Sequence, residues 1–113
     1  MQELEDKTYN FAVKGLGFIK SLDKIDPQIN TRELKQYTGA VSLKLIAAMD
    51  SKENDDFAYN LRECHKNTIK TLEQLKNLNE IKEKYLETQK NQLIEEAEEI
   101  IQNLDKIIEK LIY

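Results

Sequence analysis

The chain has very little of the two residues that interrupt helices. Its 113 residues include three glycines, at 15, 17 and 39, and one proline, at 27. Long stretches of Leu, Ile, Lys, Glu and Gln lie between them, and their apolar residues return every third or fourth position. That period is typical of helices that each bury one face. The sequence therefore predicts an all-α protein.

Cysteine is also scarce, and long hydrophobic runs are absent. The single cysteine, Cys64, excludes an intrachain disulfide, and the first residues have neither the basic start nor the apolar stretch of a secretory signal. The longest purely apolar runs, such as Leu45–Met49, fall far short of the roughly 20 residues that cross a bilayer. We therefore expect a cytoplasmic protein with no membrane partner.

The scarcity of histidine argues against a metal or catalytic centre. His65 is the one histidine, and a di-iron bundle needs a glutamate three residues before such a histidine, where this chain has Arg62. His65 and the adjacent Cys64 point about 100° apart on a helix, so they do not converge on one zinc ion. Ser42 has no evident His and Asp partners, and no Gly-rich phosphate loop occurs. We expect no enzyme activity, cofactor, metal or small-molecule substrate.

Arginine is rare too, and the charges present are mixed. With two arginines, a net charge of -4 and a pI of about 5.1, the chain lacks the concentrated basic surface of a duplex-binding domain. Nucleic-acid binding by the monomer is disfavoured. Four glutamates cluster near the C-terminus, at positions 95, 96, 98 and 99, and we interpret them as a solvated helix face.

What remains is enough apolar sequence for one domain with one core. The apolar period predicts four helices, at about 4–25, 31–49, 55–76 and 80–112. The short connections between them favour antiparallel neighbours, and hence an up-down-up-down four-helix bundle over residues 1–113. The polar stretch 87–92 leaves open a break in the fourth helix.

Several local predictions follow from individual residues. Pro27 ends the first helix, and Asn30 with Glu33 offers a capping box for the second. On the first helix we expect an inward face with ten members: Leu4, Tyr9, Phe11, Ala12, Gly15, Leu16, Phe18, Ile19, Leu22 and Ile25. The third helix carries the most regular apolar stripe: Phe57, Leu61, Cys64, Thr68, Leu72 and Leu75.

Two features point to a second subunit. Glycine inside a helix costs on the order of 1 kcal/mol relative to alanine, so Gly15 and Gly17 indicate a close approach by another helix or by a partner, or else a slightly bent surface helix. On the second helix, Leu43 and Ile46 widen the apolar surface beyond one face, as in a helix held between two layers. We therefore predict an oligomer interface that includes Gly15, Phe18, Leu43 and Ile46.

Three stretches together resemble a bacterial family known as the four helix bundle protein family, whose members include proteins encoded in intervening sequences of 23S ribosomal RNA genes. The first is Phe11-Ala12 with Leu16 and Ile19. The second is Arg32–Leu34 through Ala40-Val41-Ser42-Leu43, then Ser51-Lys52 and Asp56-Phe57, which is similar to an Ala-Val-Ser-Ile segment followed by Ser-x-x-(Asp/Glu)-Phe. The third is the Glu-rich closing helix with Leu104, Ile107 and Ile108.

The resemblance implies an up-and-down bundle that assembles into a ring, commonly a pentamer, without known catalytic activity. It makes a scaffold or adaptor of unknown molecular role the leading hypothesis. The alternative is an RNA-binding or reverse-transcriptase accessory protein, by likeness to a family relative found in diversity-generating retroelements. In that alternative, basic residues of several subunits would line one rim: Lys14, Lys20, Arg62, Lys66 and Lys70.

Overall fold

The computed structural model describes residues 1–111 of the chain, and within that range it contains four α-helices and no strand. They are α1 (Gln2–Ile25), α2 (Arg32–Asp50), α3 (Asn54–Asn77) and α4 (Lys84–Glu109). The all-α prediction is confirmed, and α4 runs through the polar stretch 87–92 without a break. The predicted end of the fourth helix at Ile112 lies outside the described residues.

Each helix packs on two neighbours, in the cyclic order α1, α2, α3, α4 and back to α1. Within residues 1–111, the diagonal pairs α1 with α3 and α2 with α4 do not pack on each other. Consecutive helices are joined by connections of a few residues, which makes them antiparallel. The bundle is long and narrow, with principal extents of 47 × 21 × 20 Å.

The core runs along the bundle axis and contains the regular stripe predicted for the third helix. Leu61, Cys64 and Thr68 are fully buried, and Leu75 is 2% exposed. Phe57 and Leu72 lie at its edge and are partly buried. Opposite them, α1 contributes Phe11, Phe18, Ile19 and Leu22, and α4 contributes Leu93, Ala97, Ile100 and Leu104.

Not every apolar residue of α1 points inward. Tyr9, Leu16 and Ile25 were predicted on the inward face, but they are 60%, 41% and 53% exposed. Because α1 packs only on α2 and α4, the arc of the helix that is turned away from both stays in solvent. The predicted inward face was therefore too broad.

The start of the fourth helix also differs from the prediction. Residues 80–83 are not helical, because Ile81 inserts into the core and Glu83 becomes the N-cap of α4. The Glu83 carboxylate accepts hydrogen bonds from the backbone N–H groups of Tyr85, at 3.1 Å, and Leu86, at 2.9 Å. A side-chain acceptor at this position satisfies donors that have no partner within the helix.

The capping box predicted at the start of the second helix does not form. Asn30 Oδ1 accepts from the Arg32 N–H at 3.1 Å, but the Glu33 carboxylate instead accepts from the Tyr37 hydroxyl at 3.4 Å. Thr31 occupies the N-cap without a side-chain cap, and its hydroxyl donates to Asp23 of α1 at 2.6 Å. A contact between two helices has replaced a contact within one. The predicted stop at Pro27 is confirmed, since α1 ends at Ile25.

Candidate self-association surface

One flank of α1 is joined to α4 by two ion pairs. Lys7 Nζ lies 2.6 Å from Glu99 Oε1, and Lys14 Nζ lies 2.9 Å from Glu96 Oε2. The hydrogen bond from Lys7 to Glu99 is the main reason that the pKa of Lys7 is raised. The charged side chains on this flank therefore find partners within the chain.

The opposite flank of α1 packs on α2. Asp23 Oδ1 accepts the Thr31 hydroxyl, and Asp23 Oδ2 lies 3.0 Å from Lys35 Nζ. These two bonds, that from Thr31 first, hold the pKa of Asp23 below its usual value. Farther along, the backbones approach so closely that a Cβ placed on Gly15 would lie 2.6 Å from Cγ2 of Thr38. Gly15 is thus explained by a neighbouring helix of the same chain.

Large apolar side chains lie exposed between these two helices. Tyr9, Val13 and Leu16 are spaced four and three residues apart, so they share one side of α1, the side turned away from α4. Leu43 and Ile46 share the outer side of α2. These five residues define the α1–α2 face, and their exposed fractions are 60%, 53%, 41%, 66% and 47% in chain order. Large apolar side chains exposed on two adjacent helices make this face a candidate interaction surface.

Of the four residues predicted for the oligomer interface, two are exposed and two are buried. Leu43 and Ile46 lie on the α1–α2 face, as an interface residue must. Phe18 is 1% exposed and belongs to the core, and Gly15 is buried against Thr38, so both are already enclosed within the chain. Their placement in the interface is corrected. On this face, the exposed apolar residues of α1 are instead Tyr9, Val13 and Leu16, which lie one arc beyond the inward stripe.

The basic residues of the alternative hypothesis do not form one rim on a protomer. Lys14 and Lys20 lie on α1, whereas Arg62, Lys66 and Lys70 lie on α3, the diagonally opposite helix. Lys14 is engaged by Glu96, and Lys70 lies 4.0 Å from Glu73. The geometry of one subunit therefore gives no continuous basic track for a nucleic-acid backbone.

Cys64 and His65 turn to different neighbours. The Cys64 thiol donates to the Val41 carbonyl of α2 at 3.2 Å, and burial raises the pKa of this thiol to about 12. It therefore stays protonated and is no nucleophile at neutral pH. His65 Nε2 lies 2.6 Å from Asp105 Oδ1 of α4, so its hydrogen bond joins two helices. Cys64 is a core residue, as predicted.

The glutamate cluster on α4 connects helices. Glu96 and Glu99 pair with the two lysines of α1, and Glu98 Oε2 lies 3.7 Å from Lys76 Nζ of α3. Glu95 is exposed and forms no ion pair within residues 1–111. The solvated face predicted from sequence is thus confirmed for Glu95, Glu98 and Glu99, which are exposed, and three of the four carboxylates also reach across to neighbouring helices.

Glu87 organises the connection between α3 and α4. Its Oε1 atom accepts from the Ile81 N–H at 2.9 Å and lies 2.9 Å from Nζ of Lys90, whose side chain is 8% exposed. The hydrogen bond from Ile81, followed by that from Lys90, holds the pKa of Glu87 below its ordinary value of 4.5. The ionised carboxylate therefore stabilises the folded state.

A pH dependence follows for Glu87. Because its pKa is lower in the folded state, its contribution to stability is complete above about 4.5 and is lost as the pH falls through the folded value. We expect the difference in unfolding free energy between the wild type and Glu87→Gln to be largest at pH 6 and to shrink on acidification. Urea titrations between pH 6 and pH 3 measure it.

Glu95→Gln is the control for that measurement, since it removes the same charge from an exposed position without an ion pair. A difference for Glu87→Gln that stays constant down to pH 3 would contradict the role given to the ionised carboxylate.

A cleft of about 480 Å³ lies at the end of the bundle where two connections meet. Leu22, Ile25 and Ile29 line one side, and residues 77–83 line the other. Among the described residues, its lining carries the charged side chains of Asp26, Glu80, Lys82 and Glu83, and the Glu83 carboxylate already caps α4.

No family model, curated protein or solved structure matches this chain. The resemblance to the four helix bundle protein family therefore stays a prediction. In the part of the chain that the structure describes, no helix is long and apolar enough to cross a bilayer. Residues 1–111 also contain no group of three or more His, Cys, Asp or Glu side chains arranged to hold a metal ion. The α1–α2 face is therefore the candidate functional site among the described residues.

Proposed function

We propose that this protein is a non-enzymatic helical bundle that associates with copies of itself through the α1–α2 face and acts as a scaffold or adaptor. The observation that carries the proposal is the exposure of five large apolar side chains on adjacent flanks of two helices. Removal of large apolar side chains from water is favourable, which gives such a face a tendency to be covered.

The ring implied by the resemblance is one form that this association can take. A ring needs two different complementary surfaces on each subunit, whereas a pair related by a two-fold axis uses the same surface twice. The two forms differ in mass, since a pentamer contains five 13.3 kDa protomers and a pair contains two. A measurement of mass in solution therefore reads the assembly directly.

Light scattering coupled to size exclusion tests the proposal. We expect the wild type to elute as a multiple of the 13.3 kDa protomer at micromolar to millimolar concentration. Leu43→Glu, at a position 66% exposed, should raise the dissociation constant at least about tenfold without loss of helix content, because a charge would be buried in the contact.

Tyr59→Glu is the matched control, since Tyr59 is 60% exposed but lies on α3, away from the α1–α2 face. It should leave the mass unchanged. A wild type that is monomeric throughout the concentration range would refute self-association. Equal effects of the two substitutions would show that the contact lies elsewhere.

A further inference from the structure

The charged side chains at the two ends of the α1–α2 face have no ion-pair partners among the described residues 1–111. On the outer side of α1, Asp6 precedes the apolar residues and Lys20 follows them, and both are exposed. On the outer side of α2, Arg32 lies at the start and Asp50 at the end, again both exposed. None of the four forms an ion pair within residues 1–111. The lysines on the α4 flank of α1, by contrast, are paired.

The opposite charges are placed symmetrically about one point on each helix. Asp6 and Lys20 each lie seven residues from Val13, in opposite directions. Arg32 and Asp50 each lie nine residues from Val41. Suppose that α1 of a second copy lies antiparallel on α1, centred at Val13, and that α2 of the second copy lies antiparallel on α2, centred at Val41. Each charged end of a helix then faces the opposite charge on the second copy.

The two glycines that point outward follow the same symmetry. Gly17 lies as far from Val13 as Tyr9 does, and Gly39 lies as far from Val41 as Leu43 does. A Cβ added to either glycine would meet nothing within 4 Å, so both positions are open. Each glycine thus leaves space opposite a large apolar side chain of an antiparallel second copy.

The packing of α1 on α2 shows that Val13 and Val41 lie at nearly the same height along the bundle axis. Gly15 contacts Thr38, and α2 runs antiparallel to α1. Moving two residues from Gly15 to Val13 corresponds to moving two residues from Thr38 to Ala40. Ala40 is one residue from Val41, a rise of about 1.5 Å along the helix. A single two-fold axis perpendicular to both helices can therefore pass at the height of both Val13 and Val41.

From this agreement we infer that the α1–α2 face binds the same face of a second copy around a two-fold axis, with α1 antiparallel on α1 and α2 antiparallel on α2. Tyr9 lies over Gly17 of the second copy, and Leu43 lies over Gly39. Asp6 faces Lys20, and Arg32 faces Asp50. An isologous contact repeats every pair twice. The inference rests on the proposed self-association and specifies its partner and geometry.

Charge reversal on α1 tests this geometry. We expect Asp6→Lys alone and Lys20→Asp alone each to weaken the pair about tenfold or more, since each places like charges opposite each other twice. The double variant, Asp6→Lys with Lys20→Asp, should restore the wild-type dissociation constant. A mixture of the two single variants should form a mixed pair, because one then offers two lysines and the other two aspartates.

Lys66→Asp is the control, as an exposed lysine on α3 that lies outside the α1–α2 face. It should leave the dissociation constant unchanged. Light scattering and sedimentation measure all variants at low salt, where attraction between exposed charges is strongest.

A disulfide crosslink tests the position of the two-fold axis. A residue at the axis faces its own counterpart, so Val13→Cys should form a disulfide-linked pair on mild oxidation. Tyr85→Cys, which is 68% exposed on α4, should not. Cys64 does not interfere, because it is buried.

The outcomes separate the two proposals. A monomeric wild type refutes self-association and this geometry together. An oligomer that is insensitive to both single reversals, that has the mass of a five-membered ring, or that fails to crosslink through Val13→Cys overturns the two-fold geometry alone.

Discussion

Leu61→Ala is expected to lower the free energy of unfolding by about 2–5 kcal/mol. Leu61 is fully buried in the middle of the stripe that α3 presents to the core. Removal of its side-chain atoms loses their transfer free energy and leaves a cavity that the surrounding helices fill only in part. In a small domain with a total stability of about 5–15 kcal/mol, such a loss is a large fraction.

Urea or thermal unfolding followed by circular dichroism measures this loss. The same substitution at an exposed site, Leu43→Ala, is the control, and at concentrations that keep the protomers apart it should change stability by less than about 0.5 kcal/mol. A loss for Leu61→Ala that is no larger than the control would mean that α3 packs with another face inward.

Gly15→Ala is expected to destabilise the protein by up to about 2 kcal/mol, although alanine is the better helix former. The new Cβ would lie 2.6 Å from Cγ2 of Thr38, closer than carbon atoms approach. Overpacking costs about 1–3 kcal/mol, and the gain in helix propensity returns at most about 1 kcal/mol. Gly17→Ala should stabilise the protomer instead, because the space beside Gly17 is open.

A second substitution isolates the cause. Thr38→Ser removes the methyl group that Gly15→Ala would strike, so the double variant should recover most of the lost stability. A coupling of this size between residues on two helices is the signature of direct contact. If Gly15→Ala stabilised the protein as much as Gly17→Ala, the close approach of α1 and α2 would be refuted.

The hydroxyl of Thr38 gives an independent check on the same contact. Its Oγ1 atom is buried and has no hydrogen-bond partner within residues 1–111. An unsatisfied buried hydroxyl costs about 1–3 kcal/mol. Thr38→Val removes this hydroxyl and should therefore raise the free energy of unfolding.

The errors of the sequence-based predictions share one physical origin. The capping box at Asn30 and Glu33 did not form where the neighbouring Thr31 bonds to Asp23 of α1, and the start of α4 moved where Ile81 packs into the core. In each case a contact between elements outweighed a local preference. The position of the second element was not readable from local sequence.

The candidate surface shows the same division. Leu43 and Ile46 were identified from sequence because α2 carries more apolar residues than one inward stripe uses. Phe18 was misplaced, and Tyr9 and Leu16 were expected inside. A broad apolar arc does not reveal which of its edges meets a neighbouring helix.

Local sequence patterns predict the four helices, the inward stripe of α3 and the end of the first helix, because helical period and proline act over a few residues. The packing of the helices, by contrast, decides that Glu96 and Glu99 pair with α1, that Gly15 lies against Thr38, and which apolar residues of α1 and α2 stay exposed. These contacts depend on how the four helices are arranged and on their relative positions along the bundle axis. That arrangement is set by the packing of the whole core at once, which no short segment encodes.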